Sequence, residues 1–169
     1  MRRFALTCLL VSLLLAPLAA KGLTTRIVIR DLAANSVSEI TDRSVLAQFH
    51  VWAGRGTYSG GTEGTEGFII DWPAGIVEQR PPQLSRYELR FYVERRRSAA
   101  PLQQPGEELA YVVLYENDPS TGQGYVYLPG RSDEHFSLNV GSIHRRLEGN
   151  WLRASNAWQT AFTKLAAAR

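Results

Sequence analysis

The chain of 169 residues carries 19 Lys and Arg against 16 Asp and Glu, and it contains one cysteine. A lone cysteine excludes an intrachain disulfide framework. The formal net charge of +3 does not provide the broad basic face that nucleic-acid binding requires, and the one basic cluster, Arg95-Arg96-Arg97, is better interpreted as a solvated strand end.

The N-terminal segment, residues 1–20, predicts a signal peptide. Arg2 and Arg3 form its positive start, an apolar stretch follows from Phe4 to Leu15, and small or helix-breaking residues precede the expected cleavage point. The apolar stretch is shorter than the ~20 residues that span a bilayer, so a membrane anchor is the less favoured alternative. We expect cleavage after residues 20 to 22, with Ala20 and Gly22 both open as the last residue removed.

Residues 23–169 are therefore expected to form a single exported domain without stable membrane insertion. Cys8 leaves with the signal peptide, so the mature chain is free of disulfides and depends on its hydrophobic core for stability. The mature sequence also contains no Asn-x-Ser/Thr glycosylation site. Together these features favour a bacterial periplasmic or extracellular location.

The first half of the domain predicts a strand, a short helix and a glycine-rich loop. Thr24 to Asp31 alternates like a strand, and Thr41 is a plausible N-cap for a helix over residues 42–52. The segment Gly54 to Gly67 is so rich in glycine that we expect a flexible surface loop. A phosphate-binding role is less favoured because no Gly-Lys-Ser/Thr element follows it. Residues 68–72 then predict a strand.

The second half predicts an antiparallel sheet. The segment 86–94, "RYELRFYVE", alternates cleanly between an apolar and a polar face. Residues 109–116 and 124–130 predict two further strands, and 142–155 predict a hairpin that turns at Glu148-Gly149-Asn150. A helix over 156–168 should follow, with Ser155 as its N-cap, and a start at Asn150 is the less favoured alternative because Trp151 and Ser155 continue the same apolar stripe. The predicted fold class is α+β: a mostly antiparallel sheet of about six strands with two helices on one face.

The hairpin between the strands 109–116 and 124–130 holds the predicted binding site. The residue types from Asp118 to Gly122 favour a tight turn. If the turn is symmetric about Ser120, Tyr115 pairs with Tyr125, and one face carries a tyrosine row opposite an aliphatic core face. This row consists of Tyr111, Val113, Tyr115, Tyr125 and Tyr127. The alternative is that these tyrosines are ordinary strand residues covered by the helices.

We expect the tyrosine row and the adjacent loop to bind an envelope glycan or protein. Tyr115, Tyr125 and Tyr127 present flat rings with polar tips, which suit stacking against sugars or contact with a protein. Asn117, Asp118 and Gln123 could hydrogen-bond to the same partner. These six residues are the predicted binding site.

Catalysis is the less favoured interpretation, because the chain has no G-x-S-x-G element, no HExxH motif and no paired metal-ligand spacing. The sequence predicts neither a metal nor a cofactor. The weak catalytic candidates are Glu116, Asp118 and His135, which would suit a small hydrolase acting on cell-wall or extracellular polymers. A structural module for envelope assembly is a third alternative.

Overall fold

The structure is a computed structural model that describes residues 22–59, 62–94 and 106–167. Its centre is a six-stranded sheet in the order β2-β1-β5-β6-β7-β8, and each neighbouring pair is antiparallel. The strands of this sheet are β1 (Thr24–Asp31), β2 (Val37–Ile40), β5 (Ser85–Glu94), β6 (Glu107–Asn117), β7 (Gly124–Tyr127) and β8 (Trp151–Arg153). A separate two-stranded pair joins β3 (Tyr58–Ser59) to β4 (Thr62–Glu63). The predicted α+β fold is confirmed.

Three α-helices and one short 3-10 helix accompany the sheet in the described residues. They are α1 (Arg43–Leu46), the 3-10 helix (Trp72–Ala74), α2 (Phe136–Ser142) and α3 (Asn156–Ala167). The start of α3 is as predicted, because the Trp158 amide donates to the Ser155 hydroxyl at 3.2 Å. No helix among these is long and apolar enough to cross a membrane.

The helix α1 is much shorter than the predicted helix over 42–52. Its N-cap is Asp42, whose carboxylate accepts from the Ser44 amide at 2.8 Å, and not Thr41. After Leu46 the chain leaves the helix through a turn in which the Phe49 amide bonds the Leu46 carbonyl. This turn buries Phe49 completely, so core packing overrides the helical periodicity.

The two faces of the sheet differ in what they contact. Leu89, Phe91 and Val93 of β5 point to the core face and are buried, whereas Glu88 and Arg90 lie on the outer face, as the alternation predicts. Most of the buried hydrophobic residues form one cluster on the core face, and Val112 and Tyr125 are buried outside it. Within it, Trp158 of α3 packs edge-on against Phe49 at a ring-centroid distance of 5.2 Å.

Two predicted strands are wrong. Residues 68–72 form only an isolated bridge, Ile70 to Ala154, and Trp72 begins the 3-10 helix. The predicted hairpin over 142–155 has one strand, β8, which pairs with β7 instead of with a preceding arm. The segment 68–72 is held in place by its buried side chains and not by a ladder of backbone hydrogen bonds to a neighbouring strand. Helix α2, which the sequence did not predict, occupies the stretch before that hairpin.

Helix α2 lies at an edge of β6 that β7 is too short to reach. Asn139 accepts from the Val112 amide through Oδ1 at 2.8 Å, and its Nδ2 donates to the Val112 carbonyl. A side-chain amide thus satisfies the two backbone groups of Val112 that a neighbouring strand would otherwise pair.

The glycine-rich loop is more ordered at its base than predicted. Gly54 and Thr57 are buried, and a Cβ on Gly56 would lie 2.6 Å from the His144 carbonyl oxygen. The expectation of a wholly flexible surface loop is therefore wrong for these residues. The predicted signal peptide and the Arg95-Arg96-Arg97 cluster lie outside the described residues.

Candidate binding surface

The β6–β7 hairpin has a different register from the predicted one. Tyr115 pairs with Val126, and Tyr125 pairs with Glu116. The loop between Asn117 and Gly124 has an even number of residues, so the turn is not centred on Ser120. Because side chains alternate between faces, a shift of one residue moves every side chain of one strand to the opposite face.

The predicted tyrosine row is therefore wrong. Tyr111, Val113 and Tyr115 of β6 are on the core face, while Tyr125 and Tyr127 of β7 are on the outer face. The aliphatic face that we expected to form the core is divided in the same way. Val126 is in the core cluster, but Val112 pairs across the outer face with Arg90.

Tyr115 is fully buried and cannot contact a partner on the surface, which corrects its place in the predicted site. Its ring packs at 4.8 Å from Phe162 and 5.9 Å from Trp158, both in α3. A Cβ on Gly124 would lie 2.6 Å from a Tyr115 ring carbon, so the hairpin needs glycine there to admit the ring. Burial raises the pKa of the Tyr115 hydroxyl well above its usual range.

The polar residues of the hairpin loop maintain the turn. Asp118 accepts from the Ser120 amide at 2.8 Å, from the Ser120 hydroxyl at 2.6 Å and from the Thr121 hydroxyl at 2.9 Å. The Ser120 bonds hold the pKa of Asp118 below its usual value. Asn117 donates to the Tyr115 hydroxyl oxygen and to the Gly122 carbonyl, and Gln123 donates to the Gly124 carbonyl.

Strands β7 and β8 place three aromatic side chains on the outer face, namely Tyr125, Tyr127 and Trp151. Tyr127 lies against Trp151 with ring centroids 5.1 Å apart, and its hydroxyl donates to Asp133 at 2.8 Å. Tyr127 and Trp151 are each half-buried, whereas Tyr125 is only 8% exposed. The Arg80 guanidinium stacks over the Trp151 ring at 3.7 Å from its centroid.

Arg80 reaches this face because the chain after the 3-10 helix runs beside β8. The Val77 amide donates to the Trp151 carbonyl at 2.8 Å, and Ile76 forms a bridge with Leu152. Arg80 then pairs with Glu116, whose other carboxylate oxygen accepts from Arg86 Nε at 2.7 Å. Burial lowers the pKa of Arg80, with the neighbouring charge of Arg86 adding to the effect.

A cavity of about 430 Å³ opens beside these arginines. Glu116 and Arg86 both line it; Glu116 is 2% exposed, whereas the side chain of Arg86 is 66% exposed. We call Arg80, Arg86, Tyr125, Tyr127 and Trp151 the aromatic–arginine surface.

The catalytic candidates do not assemble into an acid–base site. Both carboxylate oxygens of Glu116 accept hydrogen bonds from guanidinium groups. The carboxylate of Asp118 accepts hydrogen bonds within its own turn. His135 Nε2 lies 3.5 Å from Glu88 and 4.0 Å from Glu134, in a loop contact separate from the hairpin turn. Among the residues that the structure describes, no group of three His, Cys, Asp or Glu could hold a metal ion.

No significant similarity links the chain to a protein-family model, a curated protein or a solved structure. The surface must therefore be interpreted from its own geometry.

Three members of the aromatic–arginine surface were missed by the sequence analysis. Trp151 and Arg86 lie in segments with strand character. Once the register of these strands is known, it determines on which face of the sheet each side chain lies. Arg80 lies in a turn-rich segment without periodicity, and no local signal indicates that it stacks on Trp151 or pairs with Glu116.

Proposed function

We propose that this protein is an exported bacterial binding domain whose aromatic–arginine surface binds a segment of another envelope protein. The observation that carries the proposal is the stack of Arg80 on Trp151 beside Tyr127, all partly exposed on the outer face. Arg, Trp and Tyr are the residue types that most often contribute large shares of binding energy at protein interfaces.

The same stack favours a protein over a glycan as the partner. Sugar recognition by stacking needs a free aromatic face, but Arg80 lies over the Trp151 ring. Tyr125 is too deeply buried to offer its ring. A protein segment needs no free ring face, because it can contact the rim of the stack and the guanidinium groups together.

Arg86 provides a polar contact for such a partner. It uses Nε to bind Glu116, and its side chain is 66% exposed. Arginine has five N–H donors, so its remaining donors can bind a carboxylate or backbone carbonyl of the partner. Pro81 and Pro82 line the adjacent cavity and offer a rigid apolar wall.

The hydrolase alternative receives less support from the same geometry. A glycosidase needs two carboxyl groups that face each other across the substrate, one of them with a raised pKa. Glu116 is bound by two arginines, and the pKa of Asp118 is shifted in the opposite direction.

The experiment is retention of envelope components on immobilised protein, using untreated, protease-treated and glycan-digested extracts. We expect wild type to retain a protein from the untreated and glycan-digested extracts but not from the protease-treated one. Tyr127→Ala and Trp151→Ala should lose retention while keeping a cooperative melt.

The matched control is Tyr58→Ala, which truncates an exposed tyrosine of β3, outside the six-stranded sheet. This variant should retain the partner as wild type does. Retention that survives protease treatment, an equal loss in the Tyr58 variant, or no retention by wild type would each contradict the proposal.

A further inference from the structure

A second cavity, larger than the first, lies beside helix α2. Its volume is about 730 Å³, and none of its lining residues belongs to the aromatic–arginine surface. It is lined by Arg131, Phe136, Val140, His144, Arg146 and Glu148. We call it the basic pocket.

The walls of the basic pocket come from three segments that the fold brings together. Phe136 and Val140 are four residues apart in α2 and therefore lie on one face of that helix. Arg131 precedes α2 in the loop after β7. His144, Arg146 and Glu148 are alternate residues in the segment after α2 and line the same cavity.

Arg145 fixes the segment after α2 from the opposite side. Its buried guanidinium donates to the Val51, Ala53 and Arg55 carbonyls and lies 4.5 Å from the centre of the Phe68 ring. Its backbone amide donates to Glu148 Oε1 at 2.7 Å. These contacts anchor the residues beside Arg145, so the pocket does not depend on a ligand for its shape.

The basic pocket carries positive charge that the protein does not neutralise. Arg26, Arg80, Arg86 and Arg90 each bind a carboxylate. Within the described part of the chain, neither Arg131 nor Arg146 forms an ion pair or donates a side-chain hydrogen bond. Among the described residues that line the pocket, the one acid is Glu148, whose Oε2 lies 3.6 Å from His144 Nε2.

The backbone at Arg146 also indicates that its side chain has a role. Its φ of 63° is in the left-handed region, which glycine and asparagine adopt more easily than arginine. An arginine therefore occupies a strained position on the wall of a cavity, and strained positions of this kind are common at ligand-binding sites.

We propose that the basic pocket binds an organic carboxylate with an apolar or aromatic part. Two unpaired guanidinium groups suit a carboxylate, which arginine binds through paired hydrogen bonds. Phe136 and Val140 give the hydrocarbon part of the ligand an apolar wall. The volume falls in the usual range for small-molecule sites, and the negative charge of Glu148 disfavours a more highly charged anion.

The test uses 3-phenylpropionate as the probe, with titration calorimetry and amide chemical shifts at low salt. We expect saturable binding of this carboxylate, with shifts centred on α2 and residues 143–148. The uncharged 3-phenylpropanamide and inorganic phosphate should bind at least about tenfold more weakly, because each lacks one of the two recognised features. Equal binding of either compound, or no binding of the carboxylate, would overturn the proposal.

Variants connect the binding to the two arginines. Arg146→Gly removes the charge and also relieves the backbone strain, so the protein should stay folded while binding weakens at least about tenfold. Arg131→Gln should have a similar effect. Arg43→Gln, which removes an exposed arginine in α1, is the matched control and should bind as wild type. Unchanged binding in both pocket variants would overturn the proposal.

Trp151→Ala separates this inference from the proposed function. It alters the aromatic–arginine surface without removing a contact to the loop that carries Arg131, and it should leave carboxylate binding unchanged, so either site can fail without the other. Loss of carboxylate binding in a folded Trp151→Ala protein would contradict a separate pocket.

Discussion

The two faces of the β6–β7 hairpin use tyrosine in different ways. On the core face, Tyr111 and Tyr115 are completely buried among the aromatic side chains that pack on the sheet. On the outer face, Tyr127 is half-buried beside Trp151 and bonds Asp133. The same residue type therefore stabilises the fold on one face and is available for contact on the other.

The register of the hairpin, more than its composition, assigns these roles. Tyrosine is a good strand former on either face. The loop Asp118–Gln123 has an even number of residues, and this parity decides which tyrosines meet α3. We can test the assignment by changing each face separately.

The largest effect is expected from the core face, in Tyr115→Ala. The substitution leaves a cavity between Trp158 and Phe162 and should lower the free energy of unfolding by about 3–5 kcal/mol. Tyr115→Phe keeps the ring and should cost much less, because among the described residues the hydroxyl accepts one hydrogen bond, from Asn117 at 3.3 Å. Urea unfolding measures both. A loss below about 1 kcal/mol for Tyr115→Ala would mean that the ring is not core.

A second large effect is expected beneath the core face, at Arg145. Burial lowers its pKa, and burial also raises the pKa of the adjacent Tyr111 to about 12, so this tyrosine stays neutral near Arg145 at ordinary pH. Arg145→Met leaves three carbonyls of residues 51–55 without their donor and should cost about 3 kcal/mol.

The matched control for Arg145 is its neighbour. Arg146→Gln should change the free energy of unfolding by less than about 0.5 kcal/mol, because Arg146 is exposed and forms no ion pair with another residue that the structure describes. Similar unfolding curves for the two variants would contradict the distinct roles of these adjacent arginines.

The smallest effect concerns the turn that joins the two faces. The Ser120 hydroxyl and amide lower the folded-state pKa of Asp118, so its stabilising effect is complete above the unfolded-state value, near 3.8. It is lost as the pH falls through the lower folded-state pKa.

The difference in unfolding free energy between wild type and Asp118→Ala should therefore shrink in acid and stay constant above that range. Denaturant unfolding across the acidic range measures it. A difference that grows in acid would contradict the assignment of Asp118 to the turn.

The sequence predicted the elements whose patterns are local. Strand β5 follows from its alternation and helix α3 from its Ser155 cap. The hairpin register was not predictable, because a loop of six residues and one of five differ little in sequence. The position of Arg80 and the hydrogen bonds of Asn139 to Val112 depend on contacts between distant segments, which periodicity does not encode.

The aromatic–arginine surface was only partly predictable for the same reason. Tyr125 and Tyr127 were predicted because their segment is rich in tyrosine. Whether Tyr115 lies on the core face or the outer face of the sheet depends on the strand register, which the sequence does not determine. Arg145 and Arg146 are adjacent residues of the same type. Only the packed structure shows that Arg145 is buried and that Arg146 lines the basic pocket.

The central claim is that the outer face binds a protein partner. The most direct measurement is the dissociation constant between the purified protein and the partner that it retains, for wild type, Tyr127→Ala and Tyr58→Ala. We predict that Tyr127→Ala weakens binding by about 2 kcal/mol or more, with an unchanged Kd for Tyr58→Ala. Equal dissociation constants for all three folded proteins would contradict the claim.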